Sequence, residues 1–171
     1  MALNEEAPIR RKEILSILIQ LTSCEIIQAT SEIPGMTQEE VEEFLESKLN
    51  LQSATIDEQG YPKIHPDWFY HDKDGGKLWI NTSKSAKKTQ SIRKRPTMYF
   101  SIDDENPPVM GTKGRDIATI VEDPELVVSL LDGISLKYLG TLNHPIAKMI
   151  SGDSKKGEVV LVEVNPKFFS T

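Results

Sequence analysis

Cysteine occurs once in these 171 residues, so no internal disulfide can form and a reducing compartment is the natural setting. Its neighbours Leu21, Ile26 and Ile27 make Cys24 a core thiol rather than a reactive one. No apolar run approaches the roughly 18 residues that span a bilayer. The start, Met1 to Lys12, mixes charges of both signs with no small-residue cleavage site after it, so a cytoplasmic protein without membrane contact is expected. Walker, G-x-S-x-G and G-x-G-x-x-G patterns are all missing, which removes the signatures of P-loop, hydrolase-elbow and Rossmann chemistry. His71, read as part of a turn, and His144, before Pro145, lack cysteine or carboxylate partners at metal-ligand spacing, and no metal is expected.

What is present fits one compact domain, with 38% hydrophobic and 27% charged residues. The formal charge of −6 disfavours nucleic acid as a partner. Its distribution is uneven. Six cations (Lys84, Lys87, Lys88, Arg93, Lys94, Arg95) and no acid lie between Lys84 and Arg95, which leaves −12 for the remainder. Such an island suits a small, doubly charged anion, although most charge runs are simply solvated helix faces.

Apolar spacing from Pro8 to about Ala29, through Ile14, Leu15, Leu18, Ile19 and Ile26, predicts an amphipathic helix, and Pro34-Gly35 follows as a breaker. Thr37 with Glu40 forms a capping box for a second helix ending near Lys48. From Leu51 the texture is β-prone. Strands are expected at Leu51 to Asp57, Tyr61 to His71, Lys77 to Thr82, Thr97 to Asp103, Met110 to Val121 and Glu158 to Val164. Helices are expected over Ser83 to Lys94, from Pro124 to about Leu139, and briefly after His144. Six antiparallel strands with peripheral helices predict a mainly β (α+β) fold, a small closed barrel over residues 49–171 behind an N-terminal helical extension over residues 1–48.

One stretch is specific. Ala54-Thr55, then Asp57, Gly60 and Pro62, then Pro66, Trp68 and Phe69, then Asn81-Thr82 with Ser85 and Lys88, and finally Arg93 to Pro96 follow one another in unbroken order. This series resembles the pyridoxamine 5'-phosphate oxidase-like superfamily of FMN-binding split β-barrels. The resemblance implies a six-stranded antiparallel split barrel, a homodimer, and flavin mononucleotide held between the subunits. It places the flavin phosphate on Lys87 and Lys88, with hydroxyls from Thr82, Ser83 and Ser85 and with Asn81 beside them. The strand His65-Pro66-Asp67-Trp68 would run along the isoalloxazine ring, and the loop Asp104 to Thr112 would approach the partner's cofactor. The residue types suit that assignment, because a phosphate monoester seeks charge-assisted donors and free N–H groups at a helix start. Trp68 and Trp79 suit either the ring or the core.

Two departures matter. An arginine often stands where this chain has His65, which suits a ribityl or phosphate contact and a structural role about equally. The tail after Val164 carries Lys167 as its only cation and lacks the arginine and histidine that true pyridoxamine phosphate oxidases use for substrate, so that activity is not expected. The resemblance leaves open an FMN-dependent oxidoreductase acting on a small molecule, a deazaflavin-dependent reductase, a haem binder and a non-enzymatic flavin-binding or stress-associated protein. No catalytic acid or base stands out.

Overall fold

The computed structural model describes residues 24–32, 34–106 and 110–171. Among these, ten strands form two sheets, joined by four helices. The strands are β1 (Glu25–Ile27), β2 (Leu51–Ile56), β3 (Pro62–Asp67), β4 (Phe69–Asp72), β5 (Lys77–Ser83), β6 (Thr97–Asp104), β7 (Met110–Ile117), β8 (Thr119–Val121), β9 (Val159–Val164) and β10 (Phe168–Ser170). The helices are α1 (Gln38–Glu46), α2 (Lys87–Lys94), α3 (Pro124–Leu139) and α4 (Pro145–Lys155). One sheet has the order β1-β10-β7-β6-β2-β3 and the other β4-β5-β9-β8.

The expected α+β barrel class stands, with more strands than the six foreseen. Two of the expected strands each divide in the middle. The run from Tyr61 to His71 leaves the first sheet at Asp67, turns at Trp68 and enters the second at Phe69, so His71 lies on β4 and not in a turn. The run from Met110 to Val121 breaks at Ala118, whose N–H donates to the Pro96 carbonyl at 2.8 Å. These corners carry the chain from one sheet to the other and bend them around one core. Alternation reads the same on both sides of a corner, which is why the breaks are silent in sequence.

The N-terminal expectation needs correction. Glu25–Ile27, assigned to the end of a helix, instead pairs in parallel with Phe168–Ser170. The pairing satisfies backbone groups at the sheet edge, which local helical spacing could not foresee. The rest of that expected helix lies outside the described residues. β10, a three-residue strand beyond the expected last one, is equally a product of this pairing. The second helix forms as expected: Glu40 N–H donates to Thr37 Oγ1 at 3.3 Å, and Thr37 N–H donates to Glu40 Oε2 at 2.7 Å.

Inside the barrel, Leu51, Phe69, Leu78, Ile80, Met98, Phe100, Ile102, Val162 and Val164 make the core, closed by Val41, Phe44 and Leu45 of α1 and Ile92 of α2. A second cluster covers the back of β5 and β9, where Trp79 and Leu161 meet Val127, Leu130 and Leu131 of α3. Gly60, at φ 91°, takes the left-handed position that ends the β2–β3 turn, where its N–H donates to the Asp57 carbonyl at 3.1 Å.

Candidate functional site

The candidate residues converge from three elements on the barrel wall beside α2. On β3, alternation sends His65 and Asp67 inward, opposite Ser53 and Leu51, and Pro66 outward. On β5, Thr82 shares the buried face of Leu78 and Ile80, whereas Asn81 lies on the opposite face with Trp79. Ser83 and Ser85 form a tight loop in which the hydroxyls are 3.1 Å apart and Ser85 N–H donates to Ser83 Oγ at 3.3 Å. Thr89 Oγ1 then donates to the Ser83 carbonyl at 2.7 Å and ties the loop to the first turn of α2.

The start of α2 is open. Thr37, Asp123 and His144 each accept a hydrogen bond as N-cap side chains of α1, α3 and α4, but Ala86 has no side chain with which to cap α2. Its first N–H groups have no intrahelical acceptors and carry the positive end of the helix dipole. Lys87 is exposed at this point and pairs with no acid among the described residues. Beyond the first turn, a cleft of about 150 Å³ separates Lys87, Gln90 and Ser91 from Asp57, Glu58, Gln59 and Lys63.

Lys88 is placed differently. It is 8% exposed and forms an ion pair with Asp67, 9% exposed, whose second oxygen accepts from Ser53 Oγ at 2.5 Å. His65 stands near this pair. Burial first, and then the Lys88 ammonium, hold its imidazole below the ordinary histidine range against the opposing pull of Asp67. Among the described residues its Nε2 is buried with no hydrogen-bond partner. Orphaned polar atoms are uncommon in native interiors, and an incoming polar ligand would satisfy this one.

The basic island dissolves in three dimensions. Glu122 takes both Lys84 and Arg93, Glu58 takes Lys94, and Arg95 donates to the Asp57 carbonyl. Trp68 stacks on Tyr138 with ring centroids 4.8 Å apart and planes at 6°, so one of its faces belongs to α3. Trp79 is buried in the second cluster. Sequence reasoning passed over Ser53. Ser53 was legible in principle, because it occupies an inward position of β2 between Leu51 and Thr55.

An open helix start, three nearby hydroxyls, one free lysine and an orphaned imidazole nitrogen fit the phosphate end of a flavin nucleotide. Lys88, already paired, fits it less well.

Two antiparallel-dominated sheets sharing strands at bent corners define a split barrel, and solved structures share it. A conserved hypothetical protein from Mycobacterium tuberculosis superposes with a TM-score of 0.69 at 22% identity, over 82% of this chain and 86% of that one. An F420 reductase gives 0.62 at 26% identity, over 81% and 98%. HutZ, the heme storage protein from Vibrio cholerae, gives 0.59 at 19% identity, over 75% and 88%. No curated protein sequence matches the chain. The pyridoxamine 5'-phosphate oxidase family model matches residues 37–167, and the chain belongs to that family. Among the described residues, no helix is long and apolar enough to cross a membrane.

Proposed function

We propose that this protein binds flavin mononucleotide at the start of α2 and serves as an FMN-dependent oxidoreductase for a small molecule. The observation that carries this reading is the uncapped first turn of α2, flanked by Ser83, Ser85 and Lys87, in a chain whose motifs imply a bound flavin. Lys87 and the free N–H groups would grip the phosphate, and His65 Nε2 would find a partner in the ribityl or ring portion. A bound flavin would supply the redox chemistry, and the chain would supply its placement.

The F420 reductase likeness supports a second reading, in which a deazaflavin occupies the same wall. Its longer acidic tail would need the cations beyond α2's first turn. Beside Lys84, Arg93 and Lys94 stand Glu122 and Glu58, acids that a polyanionic tail would also meet, which favours the shorter FMN. Absorbance and mass of the ligand released on denaturation test the choice: a flavin spectrum with the mass of FMN is expected, and a deazaflavin overturns the first reading.

Homodimerisation belongs to the same proposal. The outward face of the six-stranded sheet aligns Ile64, Ala54, Tyr99 and Arg115 in one cross-strand row, with Ile117 beside it. Ile64 is 70%, Tyr99 52% and Ile117 55% exposed, an apolar surface that a two-fold partner would bury. Of the expected loop Asp104 to Thr112, Asp104 and Met110–Thr112 lie on β6 and β7, and residues 107–109 lie outside the described residues. Light scattering is expected to give twice the chain mass. A monomer that retains flavin overturns the shared-site arrangement.

A further inference from the structure

We infer that Asp67 is a selectivity residue: its carboxylate occupies Lys88, one of the two lysines on which the family resemblance places the flavin phosphate, and so tunes the site away from doubly charged phosphate. The inference rests on the flavin reading above and goes further, because it concerns which end of the flavin carries the affinity.

A buried ammonium must have a counter-charge, and Lys88 has one within the chain. The pair is fully built. One Asp67 oxygen faces Lys88 and the other accepts from Ser53, itself buried, so neither carboxylate oxygen depends on solvent. The other cations of this segment behave differently. Lys84, Arg93 and Lys94 pair with exposed glutamates at the surface, where water and salt exchange freely with the partner. A dianion approaching Lys88 therefore meets Asp67 as well, and attraction to one is offset by repulsion from the other. Lys87, Lys88 and Asp67 together present one net positive charge instead of the two that the Lys87-Lys88 doublet promises. The ligand this suits is a flavin whose phosphate is held by Lys87 and the helix start without help from Lys88, so that ring and ribityl chain carry most of the affinity.

Titrations of FMN, riboflavin and inorganic phosphate onto the full chain decide the matter, with the FMN-over-riboflavin affinity ratio as the readout so that effects on the ring cancel. The wild type is expected to prefer FMN by about tenfold or less, and D67N to raise that ratio by at least a further tenfold. D67N/K88M, which removes the pair as a unit and also serves if D67N does not fold, should keep the wild-type ratio within threefold. A ratio unchanged in D67N, or lost tenfold in D67N/K88M, overturns the inference, because Lys88 would then grip phosphate despite Asp67. Inorganic phosphate separates this failure from failure of the flavin reading. Phosphate should raise the melting temperature of D67N and not of wild type. That result with no flavin bound would uphold the role of Asp67 while sinking FMN as the ligand, and D67N indifferent to phosphate would refute Asp67 whatever the flavins do.

Discussion

Lys88→Ala should destabilise the fold before it tells anything about ligand binding. Both members of the Asp67–Lys88 pair are at least nine-tenths buried, so the substitution leaves a carboxylate inside the wall with Ser53 as its remaining donor. Breaking a buried pair from one side typically costs about 3–5 kcal/mol, and the surviving charge-assisted bond from Ser53 puts this case near 3 kcal/mol. With a urea slope of about 2 kcal/mol per molar, the unfolding midpoint should fall by about 1.5 M. D67N/K88M keeps an acceptor for Ser53 and leaves no unpaired charge, and should lose about 1 kcal/mol. Glu122→Gln, which disturbs only exposed pairs, should shift stability by less than about 0.5 kcal/mol. Far-UV dichroism during urea titration is the assay. A Lys88→Ala midpoint within about 0.3 M of wild type would refute the claim that this pair is dry.

Lys87→Ala should weaken FMN binding by about 1 kcal/mol, roughly fivefold, and leave riboflavin unaffected, because Lys87 is an exposed cation at the helix start; equal losses for both flavins would place it elsewhere. Lys137 lies over the Phe69 ring at 3.6 Å and donates to the Leu45 carbonyl, and burial pulls its pKa down to about 8. Unfolded lysine holds its proton to about 10.4, so the unfolded chain binds more protons above pH 8 and stability should rise from pH 8 toward 10; thermal melts should show this gain in wild type relative to Lys137→Met. His71 is likewise held below the ordinary range, by burial against the opposing hydrogen bond and charge of Glu46, so its contribution is lost as pH falls below about 6.5, and His71→Gln should flatten that part of the melting profile. Gly114→Ala should cost about 1–3 kcal/mol, since an added Cβ would lie 2.5 Å from the Phe100 ring and 2.9 Å from the Phe168 carbonyl oxygen; an unchanged melting temperature would show that β10 yields. Ile64→Lys should halve the mass seen by light scattering if the outer sheet face is the interface.

Much of the fold was legible from local chemistry. The Thr37–Glu40 box and Pro124 at a helix start are short-range devices that the structure uses as read, and the Asp57–Gly60 turn is another such device. Asp57 shows how local such a device is: the Tyr61 N–H, followed by Lys63 and the Gln59 N–H, holds its carboxyl below the ordinary range within a few residues of chain. Less legible were the corners at Trp68 and Ala118 and the pairing of β1 with β10, which depend on a second sheet or a distant strand being present. The candidate site divides along the same line. Alternation along β3 and β5 could place His65, Asp67 and Thr82 inward, and it also separates Asn81 and Pro66 from them.

Local pattern was enough for the family, through an ordered set of motifs from Ala54 to Pro96, and for the barrel class, through alternating strands and capped helices. What the basic segment amounts to depends instead on contacts made in three dimensions. Its charges are neighbours along the chain, but their acids, Asp67, Glu58 and Glu122, lie 21 to 38 residues away. Charges interact through space and not along the chain. A doublet that reads as two free lysines becomes, once β3 lies against α2, one free lysine and one already neutralised.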